Sequence, residues 1–404
     1  MTGGRVQLAT TGLQDVFLSG DPDITYFQQV YKKHSKFALE TIDNVFHNKS
    51  VNFGDIIRAR VERRGDLIRN IYFRIELSEI DPSTITYTNS IGNAIIEYAD
   101  LIIGGQVVQR INGEYMEIFN QMFIDESQQF GLSITTGTTP SRTGLLGFPT
   151  FRTFYMNLPF YFRRDDSLSI PLCALTLQEV EVEIKLRPLS EIVVQDAAGV
   201  PNPLSASILK VSMPVEYVFL QDDEKNYYKS HKLEHTITQL QMYTETIPPD
   251  VDSIQMRLPF INPVKELYMV IQNKSNVAPD QNDWFNYTNN GKPQLNSLQL
   301  DFNNETYISP DVADDLFLHI LQPMNRHTRV PNVYVYNYSF ALDPENYRPT
   351  GQVNMSRIQN KLLTVNLKEG ISQERDIRIY AKSYNILRIE HGIAGVLFID
   401  NNYY

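Results

Sequence analysis

Cysteine and tryptophan are nearly missing from this chain: each occurs once in 404 residues. A single cysteine excludes an internal disulfide framework and fits folding in a reducing compartment. Cys173 sits in the apolar stretch Ile170-Pro171-Leu172-Cys173-Ala174-Leu175, with no histidine partner in view, and reads as a buried, inert thiol. Long hydrophobic runs are missing too. No stretch reaches the ~20 apolar residues of a membrane span. The opening Met1-Thr2-Gly3-Gly4-Arg5-Val6-Gln7-Leu8 has no apolar run of signal-peptide length, so synthesis in the cytosol is expected. Six N-x-S/T sequons, at Asn48, Asn273, Asn286, Asn304, Asn337 and Asn354, then read as chance occurrences. Positive charge is in deficit, with 36 Lys and Arg against 47 Asp and Glu and a net charge of −11. A surface that wraps nucleic acid needs clustered cations to release counterions. Direct sequence-specific binding of nucleic acid is therefore not expected.

What is abundant is the aromatic pair Tyr and Phe, 23 and 21 residues. Both favour strands, and the tyrosine hydroxyl suits half-buried positions at interfaces. Alternation supports the same reading. Val180-Glu181-Val182-Glu183-Ile184-Lys185-Leu186 is apolar then polar throughout, which puts Val180, Val182, Ile184 and Leu186 on the buried face of one antiparallel strand. Leu298 to Phe302, Leu363 to Leu367 and Val333 to Tyr336 behave similarly, while Leu67 to Leu77 and Leu267 to Ile271 are denser and more buried. Turn signals at Asp81-Pro82, Asn112-Gly113 and Asn290-Gly291 punctuate the runs. Many short strands at this spacing point to an all-β chain of sandwiches or jelly rolls.

The length exceeds what one core normally serves, so two domains are expected. Residues 1–24 lack a sustained period and read as an arm. Tyr26, Phe27, Val30 and Tyr31 resemble one face of a short helix within 24–42, capped by Asp23 or Thr25. Further on, Leu101 to Gly105 is a strand entering a tight turn, followed by a helix-like stretch, Glu114 to Met122. About 200 residues later Leu298 to Phe302 enters Asn303-Asn304, and Pro310 to Ile320 is again helix-like. That recurrence suggests two copies of one β fold. The polar stretch Gln221 to Asn226 is the natural boundary.

Catalytic and metal patterns are weak. His231-x-x-x-His235 encloses Glu234, but the zinc-hydrolase pattern needs Glu directly after the first His, where Lys232 stands. Asp165-Asp166, Asp222-Asp223 and Asp314-Asp315 are neighbours, whereas glycosidase carboxylates come from separated strands; helix starts or solvated loops suit them better. No nucleophile elbow, phosphate loop or dinucleotide fingerprint occurs, and no catalytic residue, cofactor or metal is expected. The densest basic positions are Arg58, Arg60, Arg63 and Arg64, with Lys32, Lys33 and Lys36 upstream. They read either as a solvated strand face or as contacts to an acidic partner.

Several colinear runs carry more than pattern. Gly12 to Phe27 (GLQDVFLSGDPDITYF), continuing through Val30-Tyr31-Lys32-Lys33-His34 to Ala38, resembles the opening of major capsid proteins of nucleocytoplasmic large DNA viruses, the algal-virus and mimivirus-like branch above all. Glu216 to Leu220 resembles the family's crossing between barrels, and Asn262-Pro263-Val264-Lys265-Glu266-Leu267 resembles the strand opening the second barrel. Tyr338 to Glu345, Pro349-Thr350-Gly351, Asn354 to Ile358 and Arg378 to Ile389 fit as well. The resemblance implies two tandem eight-stranded antiparallel jelly-roll barrels with short helices in loops, over about 25–215 and 222–404, joined by a linker at 216–221. It implies homotrimers of pseudo-hexagonal outline that tile an icosahedral virion shell after assembly in host cytoplasm. Neighbouring capsomers, minor capsid or cementing proteins and an internal membrane surface are the implied partners, with the arm on the inner side. On that reading Lys32, Lys33, Lys36, Arg58 and Arg60 are inner-surface contacts. The chain is short for the family, which keeps a minor or penton-associated role open. A carbohydrate-active β-sandwich enzyme is the rival from another class.

Overall fold

The computed structural model describes residues 2–48, 50–78, 85–138, 153–195, 206–279 and 281–398; the expected turn at Asp81-Pro82 lies outside them. The chain divides into two compact units, Met1–Lys36 and Phe37–Tyr404.

The first unit holds two seven-residue helices, α1 (Gly3–Ala9) and α2 (Leu13–Ser19), neither with a buried residue. The Asp15 carboxylate accepts a 2.7 Å hydrogen bond from the Gly12 amide and so closes the first turn of α2. The helix expected within 24–42 is absent: 24–36 carry no helix, and Phe37–Asn44 is a strand. That strand pairs in unbroken register from Phe37↔Leu220 to Asn44↔Met213. Eight residues of ladder outweigh a helical spacing of four aromatic and aliphatic side chains that bury nothing.

Sixteen principal strands build the second unit among the described residues. The first eight are β1 (Phe37–Asn44), β2 (Ile56–Arg60), β3 (Leu67–Leu77), β4 (Ile96–Ile103), β5 (Gln106–Asn112), β6 (Thr153–Asn157), β7 (Val180–Leu186) and β8 (Ile208–Leu220). They pair, all antiparallel, in the orders β1-β8-β3-β6 and β2-β7-β4-β5. The second eight are β9 (Leu233–Ile247), β10 (Ser253–Arg257), β11 (Pro263–Asn273), β12 (Leu295–Phe302), β13 (Glu305–Ile308), β14 (Tyr336–Ser339), β15 (Lys361–Leu367) and β16 (Arg375–Glu390). Their orders are β9-β16-β11-β14 and β10-β15-β12-β13, the same path shifted by eight. Two facing sheets wound in this double Greek-key order make a jelly roll, and the chain contains two in tandem.

Local chemistry repeats with the path. The β4–β5 hairpin turns at Gly104 (φ +58°) and Gly105 (φ +81°), and the β12–β13 hairpin at Asn303 (φ +51°) and Asn304 (φ +71°). Positive φ at both central residues is what a two-residue hairpin of this twist demands, and glycine and asparagine tolerate it best. A helix follows each hairpin: α3 (Gly113–Met122) in the first half, and one over 315–326 in the second, its middle turn Phe317–Leu321 π-helical. Asn112-Gly113, expected as a turn, is instead the start of α3. The Asn112 side chain accepts from the Tyr115 amide at 2.8 Å, and Gly113 packs so closely on the Asn93 and Ile96 carbonyls that no Cβ would fit. The strand expected over 333–336 begins only at Tyr336.

The alternating strand β7 behaves as its pattern predicts. Val180, Val182, Ile184 and Leu186 are all buried, and the intervening charges lie on the other face. They join Ile57, Ala59, Phe73 and Leu101 in the first core, while Leu267, Ile271, Leu300, Val365, Ile377 and Ile379 fill the second. Burying each such side chain contributes about 1.5–3 kcal/mol. The first core does not stop at the first roll: it runs on through Tyr268, Val270, Tyr287, Tyr380 and Leu387 of the second. A boundary at residue 215 would cut β8, which keeps pairing to Leu220; the polar stretch after it is α4 (Asp222–Ser230), the connector to β9.

Candidate functional site at the seam between the rolls

The two rolls meet where α3 of the first lies against the outward face of β9-β16-β11 of the second. Alternation creates this face. Ile377, Ile379 and Ala381 of β16 point into the second core, so Arg378, Tyr380 and Lys382 point out of it, toward the first roll. Glu114, in the first turn of α3, meets them. Arg378 donates two hydrogen bonds to its carboxylate, at 2.7 and 2.6 Å, Tyr287 donates another at 3.0 Å, and the Tyr380 hydroxyl donates a short fourth. Burial works against the Glu114 charge, but the Arg378 guanidinium and these donors outweigh it and hold the carboxyl below its ordinary range. The third guanidinium contact of Arg378 goes to Gln272 at 2.5 Å.

A second charged cluster lies beside it. Glu266 of β11 is fully buried, with Lys382 Nζ at 3.2 Å from one carboxylate oxygen and His327 Nε2 at 3.4 Å from the other. Burial opposes its ionisation, yet the Lys382, His327 and Lys265 charges bring its pKa down to about 2. His327 bridges onward to Glu345 at 3.2 Å. Lys265, also fully buried, donates to the Pro344 carbonyl at 2.8 Å; burial, with repulsion from Lys382, pushes its pKa well down. Around these charges pack Tyr115 against Tyr268, with ring centroids 6.2 Å apart, and Phe123 against His327 at 5.0 Å. The seam is thus a sealed surface in which charge meets charge. An apolar cavity of about 20 Å³ inside the second core, lined by Leu267, Met269 and Leu298 among others, has room for one water and none for a substrate.

The residues singled out from the sequence fall elsewhere. Arg58 and Arg60 project from the exposed face of β2, and carboxylates of β7 and of the residue just before it already answer them: Arg58 lies 2.5 Å from Glu183, and Arg60 lies 2.6 Å from Glu179. Arg63 donates to the Leu172, Leu175 and Gln178 carbonyls, and Arg64 lies 2.7 Å from Glu62. Lys32, Lys33 and Lys36 belong to the first unit and are exposed. His231 is exposed just after α4, whereas His235 is buried within β9, its pKa lowered to about 4 by that burial. Glu234 pairs with Lys232 and Arg388. Among the described residues no group of three His, Cys, Asp or Glu could hold a metal. Asp165 and Asp314 cap short helical turns, and Cys173 is half-buried, its thiol pKa raised by burial. Asn273 and Asn337 are buried in strands, out of reach of any modifying enzyme in the folded chain. The sequence runs Asn262 to Leu267 and Arg378 to Ile389, with the helix expected at Glu114 to Met122, held most of these residues. Their meeting at a seam went unread because Glu114 and Arg378 are 264 positions apart.

Two like rolls, joined at a buried seam of paired charges, define a double jelly-roll protein. Comparison with known proteins makes this particular. Residues 25–221 match the family described as major capsid protein N-terminus, and 224–395 match the large eukaryotic DNA virus major capsid protein family. The major capsid protein of Pyramimonas orientalis virus is 30% identical, over 98% of this chain and 100% of its own. That of Phaeocystis pouchetii virus is 27% identical over 98% of this chain and 100% of its own, in an alignment of 522 positions that implies insertions relative to this chain. A chain of the PBCV-1 virus capsid shares the fold with a TM-score of 0.78 at 24% identity, over 93% of this chain and 100% of that one. The chain belongs to the major capsid protein family of large eukaryotic DNA viruses.

Proposed function

We propose that this protein is the repeating subunit of an icosahedral shell, a wall element and not an enzyme. Three copies would close into a capsomer of six rolls with a pseudo-hexagonal outline. The observation that carries this reading is the duplication itself: β9–β16 retrace β1–β8 strand for strand. Two like wedges per chain let a threefold assembly present six similar edges. The named relatives support the same role for this chain. A lasting interface within the capsomer should bury thousands of Å², while contacts between capsomers are smaller and more polar, so lattice errors can dissociate. The domains are then an arm, a first roll ending with β8, α4 as connector, and a second roll from β9. Assembly takes place in host cytoplasm.

The arm faces the shell interior, where minor capsid proteins or an internal membrane lie. Its exposed Val16, Phe17, Leu18, Tyr26 and Phe27 offer apolar contacts, and Lys32, Lys33 and Lys36 offer charge to an acidic partner. Arg58 and Arg60 contribute less, because Glu183 and Glu179 of the same chain already occupy them. Light scattering on the purified protein should read the mass of three chains, and a monomer would refute the capsomer. Deleting residues 2–20 should leave that mass and the melting temperature unchanged while electron micrographs show failed or irregular shells. Loss of the trimer would place the arm in the subunit interface instead.

A further inference from the structure

Two carboxylates are buried on α3, and only one of them meets a cation. Glu114 has Arg378. Glu117, one turn further on and 4% exposed, accepts hydrogen bonds from neutral groups: Ser90 Oγ at 2.7 Å, Asn93 Nδ2 at 2.8 Å and Gln121 Nε2 at 3.0 Å. Among the described residues no lysine, arginine or histidine pairs with it. Arg329, which donates to the Gln121 carbonyl at 3.3 Å, is itself paired with Glu126 at 2.6 Å. A buried carboxylate is costly unless an opposite charge answers it. Three neutral donors ease that cost without cancelling the charge.

Beside Glu117 lies a polar cavity of about 20 Å³, lined by Glu117, Asn120 and Gln121 of α3 and by Ser133, Thr136 and Thr138, among others, from the helix Gln129–Thr136 and the turn after it. Positions 117, 120 and 121 share one helical face. Gly137 ends the second helix with φ +75°, and a Cβ there would stand 2.8 Å from Ile91 and Phe154. The chain turns back at once and sets Thr138 beside Thr136, their hydroxyl oxygens 2.9 Å apart. Thr138 donates to Ser90 at 3.0 Å, Ser90 donates to Glu117, and Thr136 donates to the Leu132 carbonyl at 2.8 Å. With their hydrogens drawn to those acceptors, the two threonine oxygens have lone pairs to offer. Glu117 Oε1 accepts a single hydrogen bond, and the Asn120 amide, 8% exposed, makes none among the described residues. A buried amide is rarely left so, and this one lines the cavity. Both helices also bring their last turns here, where the backbone dipole is negative.

We propose that this cavity is a site for one hard cation, Na⁺ or Ca²⁺, held by Glu117 Oε1, Asn120 Oδ1 and the hydroxyl oxygens of Thr136 and Thr138. Oxygen donors suit such ions, and the volume admits one ion of about water's size. A single carboxylate among neutral oxygens is a different pattern from a cluster of acidic residues, and it makes a weak site, filled at about millimolar Ca²⁺. The ion ties α3, which carries Glu114 into the seam, to the helix Gln129–Thr136, whose Gln129 Nε2 already donates to the Asn120 carbonyl at 3.0 Å.

Calorimetric melting of the full chain in three salts of equal ionic strength tests it. N-methylglucamine chloride with EDTA supplies only an organic cation too large for the cavity, while sodium chloride and calcium chloride supply the two ions. At ten times its dissociation constant the bound ion should raise the melting temperature by about 2 °C over the organic salt. A rise in sodium assigns Na⁺, and a further rise in calcium assigns Ca²⁺. Glu117→Gln should abolish the rise. Asn120→Ala, which removes an amide that bonds nothing among the described residues, should need several-fold more ion for the same rise; it keeps the test decisive should Glu117→Gln not fold. Equal rises in the unaltered protein and both variants would mean ions gathering on a surface of net charge −11, and would overturn the site. So would the absence of any rise in either salt.

Discussion

Replacing Glu114 with alanine removes the acceptor of four hydrogen bonds at the seam and strands the guanidinium of Arg378. Among the described residues Arg378 is held by that carboxylate and by Gln272 alone, and its side chain is only 16% exposed, so water cannot replace what is lost. Breaking a buried ion pair from one side costs about 3–5 kcal/mol. Unfolding entropy of roughly 2.1 cal/mol/K per residue, over a body of about 370 residues, gives about 0.8 kcal/mol per degree. The melting temperature should therefore fall by about 4–6 °C. Differential scanning calorimetry at neutral pH reads this directly. The double variant Glu114→Ala/Arg378→Met should recover much of the loss, because no charge is left unpaired. A single variant melting within about 1 °C of the unaltered protein would refute the claim that this pair is buried and holds the rolls together.

Two further perturbations probe the cores and the acid response. Val182→Asp places a carboxylate among Ile57, Ala59 and Leu101 on the buried face of β7, and should cost about 3–5 kcal/mol in urea unfolding; near-normal stability would mean the strand faces the other way. Burial keeps His235 neutral down to about pH 4, so the unfolded chain takes up its proton first. Stability should be fully present above about pH 6.5 and fall by about 3 kcal/mol as pH drops toward 4. Glu266, depressed to about 2, adds a loss between about pH 4.5 and 2 as it protonates. In His235→Leu the upper part of this slope should flatten in a pH series of unfolding curves; an unchanged slope would assign it to other groups.

Much of this molecule was legible residue by residue. Val180 to Leu186 announced a half-buried strand because period-two alternation is itself the geometry of a pleated ribbon. Gly104-Gly105 and Asn303-Asn304 announced tight turns because few other residues accept positive φ at both positions. The order of strand, turn and helix, recurring in the second half, announced the duplication. What tertiary structure alone decided concerns pairs. Phe37 to Asn44 became a strand because β8 offered it a ladder, not because its own side chains demanded one. Arg58 and Arg60, conspicuous as a basic patch, turned out to pair with Glu183 and Glu179, on and just before a partner strand over a hundred residues away. Glu114, read from the sequence only as the start of a helix-like stretch, became the centre of the seam because the second roll brings Arg378, Tyr380 and Tyr287 to it. Backbone preference acts between neighbours and is written in neighbouring letters. The energy of a buried charge depends on which distant group packing sets beside it, and no local stretch of sequence carries that information.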